Sequence, residues 1–206
     1  MSNERRHRDW SVLRHFFKPD VTIQKIVQAK PVFLALLLLT MTHLAIVLGI
    51  PFGLPVMGIG SPYNEAISGF EVALLSGVVT IGLVHLMTGI AHGAVRLTGG
   101  KGNYLGLLAA FAFIGCISII ILPLGLLYEW ALRQEDALIV LGYPIMIPAL
   151  LAWALVLGVL AVKRNYGVPA GVGVVAVVMA GALAMPFAVI LYALAIFIPC
   201  PPMVGC

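Results

Sequence analysis

Glu71, His85, His92 and Arg96 are spaced so that one helix presents all four together. At about 100° per residue they fall within about 40° of His85 on a single face. Ionisable groups inside a membrane span are expensive, and they mark proton paths, ion paths or buried pairs. His43, in an earlier apolar stretch, adds a second candidate. Counted at 1.5 Å per residue from the ends of their stretches, His43 and His85 both sit about 15–18 Å deep. Two imidazoles at one depth on neighbouring helices are the axial ligand set of a b-type haem. The competing reading is a pair of neutral histidines bonded to backbone carbonyls or to Thr40, Thr80 and Thr88. No His, Cys, Asp or Glu spacing matches a zinc site, and no Ser/His/Asp or Cys/His set suggests a nucleophile. Catalytic residues and metal ligands are therefore not expected.

Gly99, Gly100, Lys101 and Gly102 follow Arg96 directly. Glycines admit positive φ and close backbone approach, which suits a tight turn between antiparallel helices. Successive N–H groups beside Arg96 and Lys101 would alternatively cradle a phosphate or lipid headgroup. A nucleotide P-loop is excluded, because Val95 stands where that motif needs glycine and Gly102 where it needs Ser or Thr. Cys116 lies within an apolar run and reads as packing. Cys200 and Cys206 enclose Pro-Pro-Met-Val-Gly, and on an oxidising side of a membrane they have the option of a small disulfide loop.

The elements that must position these groups follow from composition. Of 206 residues, 62% are hydrophobic and 10% charged, against about 25% charged in soluble domains. A water-soluble enzyme and a disordered tail are both excluded. Five apolar runs, at 32–56, 66–95, 104–128, 138–162 and 169–198, reach the roughly 20 residues needed to cross a bilayer core. None shows the alternation of a barrel strand, so the class is an all-α membrane protein, a bundle of five transmembrane helices.

The net charge of +4 is a topology signal rather than a nucleic-acid surface. Seven of the twelve basic residues precede residue 31, and the connections holding Arg96, Lys101, Lys163 and Arg164 alternate onto the same side. The positive-inside rule then puts the N-terminus in the cytoplasm and the C-terminus outside. The chain divides into a basic tail (1–19), an interfacial amphipathic helix (20–30), a five-span domain (31–199) and a short outside tail (200–206). In the short helix Val21, Ile23, Ile26 and Val27 oppose Gln24, Lys25 and Gln28. Small-residue ladders at Gly69/Ala73/Gly77, Gly89/Gly93 and Ala176/Ala180/Ala184 are expected to bring helices close together, while Pro123, Pro144, Pro148 and Pro186 weaken their spans.

Two segments carry a family resemblance. Lys18-Pro-Asp-Val-Thr-Ile-Gln-Lys-Ile-Val-Gln-Ala-Lys-Pro31 resembles the opening of prokaryotic Yip-domain proteins. Arg96-Leu-Thr-Gly-Gly-Lys-Gly-Asn-Tyr104 is similar to the glycine and aromatic pattern that the family carries between its second and third spans. The resemblance extends over about residues 18–198. The Asp-Leu-Tyr-Gly-Pro signature of eukaryotic members is absent, so binding of Rab-type GTPases is not implied. What the resemblance implies is a non-catalytic scaffold, adaptor or accessory subunit, without cofactor, in a prokaryotic inner or cytoplasmic membrane. Its expected partners are other membrane subunits, with anionic lipids at the basic N-terminus and no nucleic acid. A bis-histidine haem b anchor and a small channel or transporter are the alternatives.

Overall fold

The computed structural model describes residues 19–49, 69–134 and 137–197. In order these form α1 (Pro19–Ala29), α2 (Val32–Gly49), α3 (Gly69–Leu97), α4 (Tyr104–Gly115), a 3-10 segment (Cys116–Ile120), α5 (Ile121–Arg133), α6 (Ala137–Tyr166) and α7 (Ala170–Phe197). Among the described residues there is no strand. Four stretches are long and apolar enough to cross a membrane: Leu74–Leu97, Tyr104–Gly125, Ile145–Tyr166 and Ala170–Leu191. The expected first span is present as a shorter apolar helix over Val32–Ile46, and its continuation to residue 56 lies outside the described residues. So do most of the basic tail and Cys200 and Cys206.

Local chemistry sets the helix ends. Pro19 and Asp20 open α1, where a missing N–H is harmless and a carboxylate meets the positive end of the helix dipole. Lys30 then turns left-handed, at φ 49°, and Pro31 leads into α2. Three bonds close α3: Thr98 N–H to Val95 O at 3.2 Å, Gly99 N–H to Arg96 O at 3.1 Å and Gly100 N–H to Val95 O at 3.0 Å. The last two form a Schellman motif, with Gly99 at φ 86° in its left-handed position. Gly167 ends α6 in the same region at φ 66°, and Pro169 follows it. The 3-10 segment lies just before Pro123. Lacking an N–H, Pro123 leaves the Ile119 carbonyl without its α-helical bond, and the preceding turn tightens. Pro144, Pro148 and Pro186 are carried through α6 and α7 without a break in helix.

At the centre lies α4, flanked by α1, α2, α3 and α6. Its run from Gly106 to Ala112 is buried on every side, as expected of a helix apolar all round. The most extensive interface joins α3 to α7. There Ala176, Ala180 and Ala184, at 1%, 0% and 3% exposure, let the backbones approach. Ala91 and Val95 of α3 share that core with Ala176 and Ala180. The apolar stripe of α1 also packs on the bundle, with Ile23 and Val27 buried and Gln24, Lys25 and Gln28 exposed. Val21, expected on the same stripe, is 49% exposed.

Candidate functional site

The chain contains the dipeptide Asn-Tyr twice, at Asn103-Tyr104 where α4 begins and at Asn165-Tyr166 where α6 ends. The fold brings the two together. Asn103 adopts an extended backbone, and its Oδ1 accepts bonds from the Leu105 N–H (2.9 Å) and the Gly106 N–H (3.2 Å), capping α4. The Asn165 amide reads the backbone of Asn103 from the other side. Its Nδ2 donates to Asn103 O at 2.7 Å, and its Oδ1 accepts from Asn103 N–H at 3.3 Å.

The tyrosines flank His92 of α3. The Tyr166 hydroxyl and His92 Nδ1 share a hydrogen bond. Tyr104 stands edge-on to the same imidazole at 5.7 Å between ring centroids and donates to His85 O at 3.4 Å. Three helix ends are thereby joined through side chains. The glycine loop fits around this junction. A Cβ at Gly102 would lie 2.3 Å from Tyr166 Cδ1, so that position is closed to any side chain. Gly99 and Gly100 N–H groups serve the α3 cap and the Asn103 N–H serves Asn165, so the loop is a turn with three of its N–H groups engaged within the protein.

Helix α1 is fastened to the same end. Arg164 Nε donates to Asp20 Oδ1 at 2.6 Å, while its Nη2 bonds Oδ2. The Arg164 guanidinium holds the Asp20 carboxyl below the usual carboxylate range. The backbone of α1 also lies close to α4, since a Cβ at Gly106 would meet Val27 O at 2.9 Å. Among the described residues Asp20–Arg164 is the ion pair at this end. Lys25, Lys30, Arg96, Lys101 and Lys163 are exposed around it, and this end of the bundle is strongly basic.

The polar face expected on α3 is only partly assembled. His92 and Arg96 lie at the junction. His85 bonds its own helix, with Nδ1 at 2.8 Å from Ile81 O. Glu71 is in the first turn of α3, and its side chain lies outside the described residues. His43 and His85 do not meet. Thr40 of α2 packs at the Gly77 position of α3, and Val84 packs against the cluster of Ala35, Leu39, Ala109 and Ala112, consistent with an antiparallel register. From the Thr40–Gly77 contact, His43 is displaced towards the far end and His85 towards the basic end, which separates them by about 16 Å along the axis. Counting from helix ends failed because α3 has 29 residues. At about 43 Å it overruns a core of about 30 Å.

His43 Nε2 is buried and, among the described residues, has no hydrogen-bond partner. It sits near the level of the 3-10 segment, since Leu39 fills the Gly115 position. Cys116 donates to Ala112 O at 3.3 Å and is a free thiol. The Gly89/Gly93 ladder faces away from the bundle rather than into it: a Cβ at Gly82, Gly89 or Gly93 would meet no atom within 4 Å. Among the described residues no three His, Cys, Asp or Glu side chains are grouped to hold one ion. Sequence reasoning passed over Asn103, Asn165 and Tyr166, although the repeated Asn-Tyr at two helix ends was a usable signal.

A search of curated proteins and of solved structures finds no match to the chain. The family model for the Yip1 domain matches residues 13–198, a range that takes in α1, every candidate span and the whole Asn-Tyr junction. The chain belongs to the Yip1 family of membrane proteins.

Proposed function

We propose that this Yip1-family protein is a non-catalytic scaffold, adaptor or accessory subunit that gathers other membrane proteins at its basic end. Five spans are assigned, with Val32–Gly49 as the first. The basic end faces the cytoplasm by the positive-inside rule, and α1 lies along that surface with Gln24, Lys25 and Gln28 turned outward. The observation that carries this reading is the rigid junction itself. Hydrogen bonds, caps and an ion pair tie α1, α3, α4 and α6 together at one end, around exposed Lys25, Lys30, Lys101 and Lys163. A rigid polar platform above an apolar bundle suits contact with partners, because little ordering entropy is lost when a preorganised surface docks.

The test is purification of the tagged, natively expressed chain in mild detergent, with lysine cross-linking before extraction. The expected result is a stoichiometric set of membrane partners, cross-linked through Lys25, Lys30, Lys101 or Lys163. Recovery of the chain alone, without cross-links at those lysines, would overturn the reading. A second reading, a small channel or transporter, is favoured by the unpartnered His43 Nε2 beside an interrupted span, since broken helices build transport sites. It requires ion or solute flux into proteoliposomes that His43→Ala abolishes.

A further inference from the structure

We infer that the cavity between α3, α4, α6 and α7 is a binding site for the terminal segment of one lipid acyl chain, entering from the middle of the membrane past Leu151 and Leu155. This goes beyond the scaffold reading and does not rest on it.

Four helices and the 3-10 segment shape this cavity. Val84 and Met87 of α3, Phe111 of α4, Gly158 of α6 and Val177 of α7 line it, and its volume is about 300 Å³. Ligand sites in bundles lie between helices and begin at about that size. Phe111, Val177 and Gly158 form a buried floor, where a Cβ on Gly158 would meet Val177 at 3.2 Å and Phe111 at 4.0 Å. Leu151 and Leu155 of α6 form the mouth, at 67% and 39% exposure. Ile117 and Ser118 add a wall, where the chain is wound more tightly than an α-helix. Along α6 the lining from Leu150 to Gly158 runs about 12 Å.

Chemistry and size select the occupant. Ser118 is the one polar side chain among the described lining residues, and its hydroxyl already donates to Gly115 O at 2.7 Å. A water held in a cavity needs about 2–4 polar partners, which these walls do not supply. A helix of a second copy is too wide, since at about 10–12 Å across it displaces about three times this volume over the same length. The 13 lining residues also fall short of the roughly 20–30 a side of a stable protein interface. A single alkyl segment fits: at about 30 Å³ for each water-sized group, the space takes roughly ten in a row. Depth supplies the source. Lys163 closes α6 with a charge that stays at the membrane surface, and Leu155 and Leu151 lie about 12 Å and about 18 Å further in. Half of a hydrocarbon core is about 15 Å, so the mouth straddles the midplane, where acyl chains end. Met87, flexible and polarisable, lets the wall adapt to the chain. The site therefore reads the chain and not the headgroup.

The full chain is to be reconstituted in liposomes of phosphatidylcholine carrying a diazirine at the acyl terminus, photolysed, and its label mapped by peptide mass spectrometry. Label is expected on Phe111 and Val177, buried floor positions that lipid outside the bundle does not reach. Phosphatidylglycerol with the same tagged chain should give the same pattern. In Ala154→Phe, whose ring would occupy the cavity, floor labelling should fall about tenfold, while label on the outward Val189 of α7 stays unchanged. Its melting temperature in detergent should not drop, because the ring fills space already open. Leu151→Trp, at an exposed position, covers the case in which Ala154→Phe fails to fold; it narrows the mouth and should lower floor labelling about threefold. The proposal is overturned if the floor stays unlabelled while Val189 is labelled, or if floor labelling is indifferent to both variants. It is equally overturned if a water-soluble diazirine labels Phe111 and Val177 as strongly, which would make the cavity aqueous. Conversion of a dimer to monomer by Leu151→Trp with floor labelling intact would also overturn it, making the mouth a helix-docking face.

Discussion

The basic end and the middle of the bundle treat the same side chain in opposite ways. At the basic end His92 is bonded to Tyr166, walled by Tyr104 and surrounded by caps that use up loose backbone donors. Farther along, His43 keeps a buried Nε2 that has no partner among the described residues, near a stretch of the apolar segment Tyr104–Gly125 that has 3-10 geometry. An unmade hydrogen bond to a buried group costs about 1–3 kcal/mol, while a made one contributes about 1 kcal/mol net. The difference teaches that order in this bundle is concentrated at one end. The middle, among the described residues, carries an unsatisfied polar atom at His43.

That contrast is broken most severely at Gly102. In Gly102→Ala the new methyl group would overlap the Tyr166 ring, which cannot swing aside while its hydroxyl is held by His92. Stability should fall by about 1–3 kcal/mol, read as a lower melting temperature in detergent. Gly82→Ala is the matched control, since its added methyl meets nothing. It should melt at or above the parent temperature, with a gain of about 0.5–1 kcal/mol from the better helix former. Equal losses in both variants would show that the junction is no tighter than the rest of the molecule.

The two histidines sharpen the comparison next. His92→Leu leaves the Tyr166 hydroxyl unpaired in a residue only 5% exposed, and should destabilise by about 1–3 kcal/mol. His43→Leu removes an orphaned atom and should raise stability by about 1 kcal/mol. Opposite signs in the same melting assay are the expected outcome. A loss in both would mean that His43 has a partner in the native membrane. Asn165→Ala follows at about 1–2 kcal/mol for its two bonds to Asn103. Its signature is local: amide hydrogen exchange should speed up from Asn103 to Gly106 and stay unchanged in α7.

Which of these features could be read in the chain depended on the range of the interaction. Apolar runs and their flanking residues set the starts of α4, α6 and α7 to within one residue of the expected positions, while the run over 104–128 is divided among α4, the 3-10 segment and α5. The Gly99 turn was legible for the same reason, as a cap needs only its neighbours. The Ala176/Ala180/Ala184 ladder packs inside as expected, whereas Gly89/Gly93 faces out; spacing shows that a face is smooth but not which way it turns. For His43 and His85, depth counted from helix ends assumes that every helix ends at the same plane, whereas the Thr40–Gly77 contact offsets α2 and α3 along the axis. The Asn103–Asn165 and Asp20–Arg164 contacts join residues far apart in the chain, and only the packing of α1, α4 and α6 brings them together.

The smallest effect is expected where α1 meets the bundle. Asp20 has its carboxyl held below the ordinary value of 3.8 by the Arg164 guanidinium, so the ion pair adds stability that is fully present above that pH. The contribution is lost as pH falls through the lowered value, when the carboxylate takes a proton. Both partners are more than a third exposed, at 37% and 43%, so solvent screens most of the interaction and melting of the whole bundle should hardly move. Helix α1 itself should respond. Hydrogen exchange in Pro19–Ala29 should accelerate as pH falls below the ordinary carboxylate value and through the lowered one relative to α4, whose amides serve as the internal reference for the pH dependence of exchange chemistry. In Asp20→Asn that relative acceleration should vanish, and α1 should show the loosened behaviour at every pH. If the variant keeps the acid response, α1 is held by Ile23, Val27 and the close approach at Gly106, and the ion pair only decorates a helix that apolar burial has already fixed.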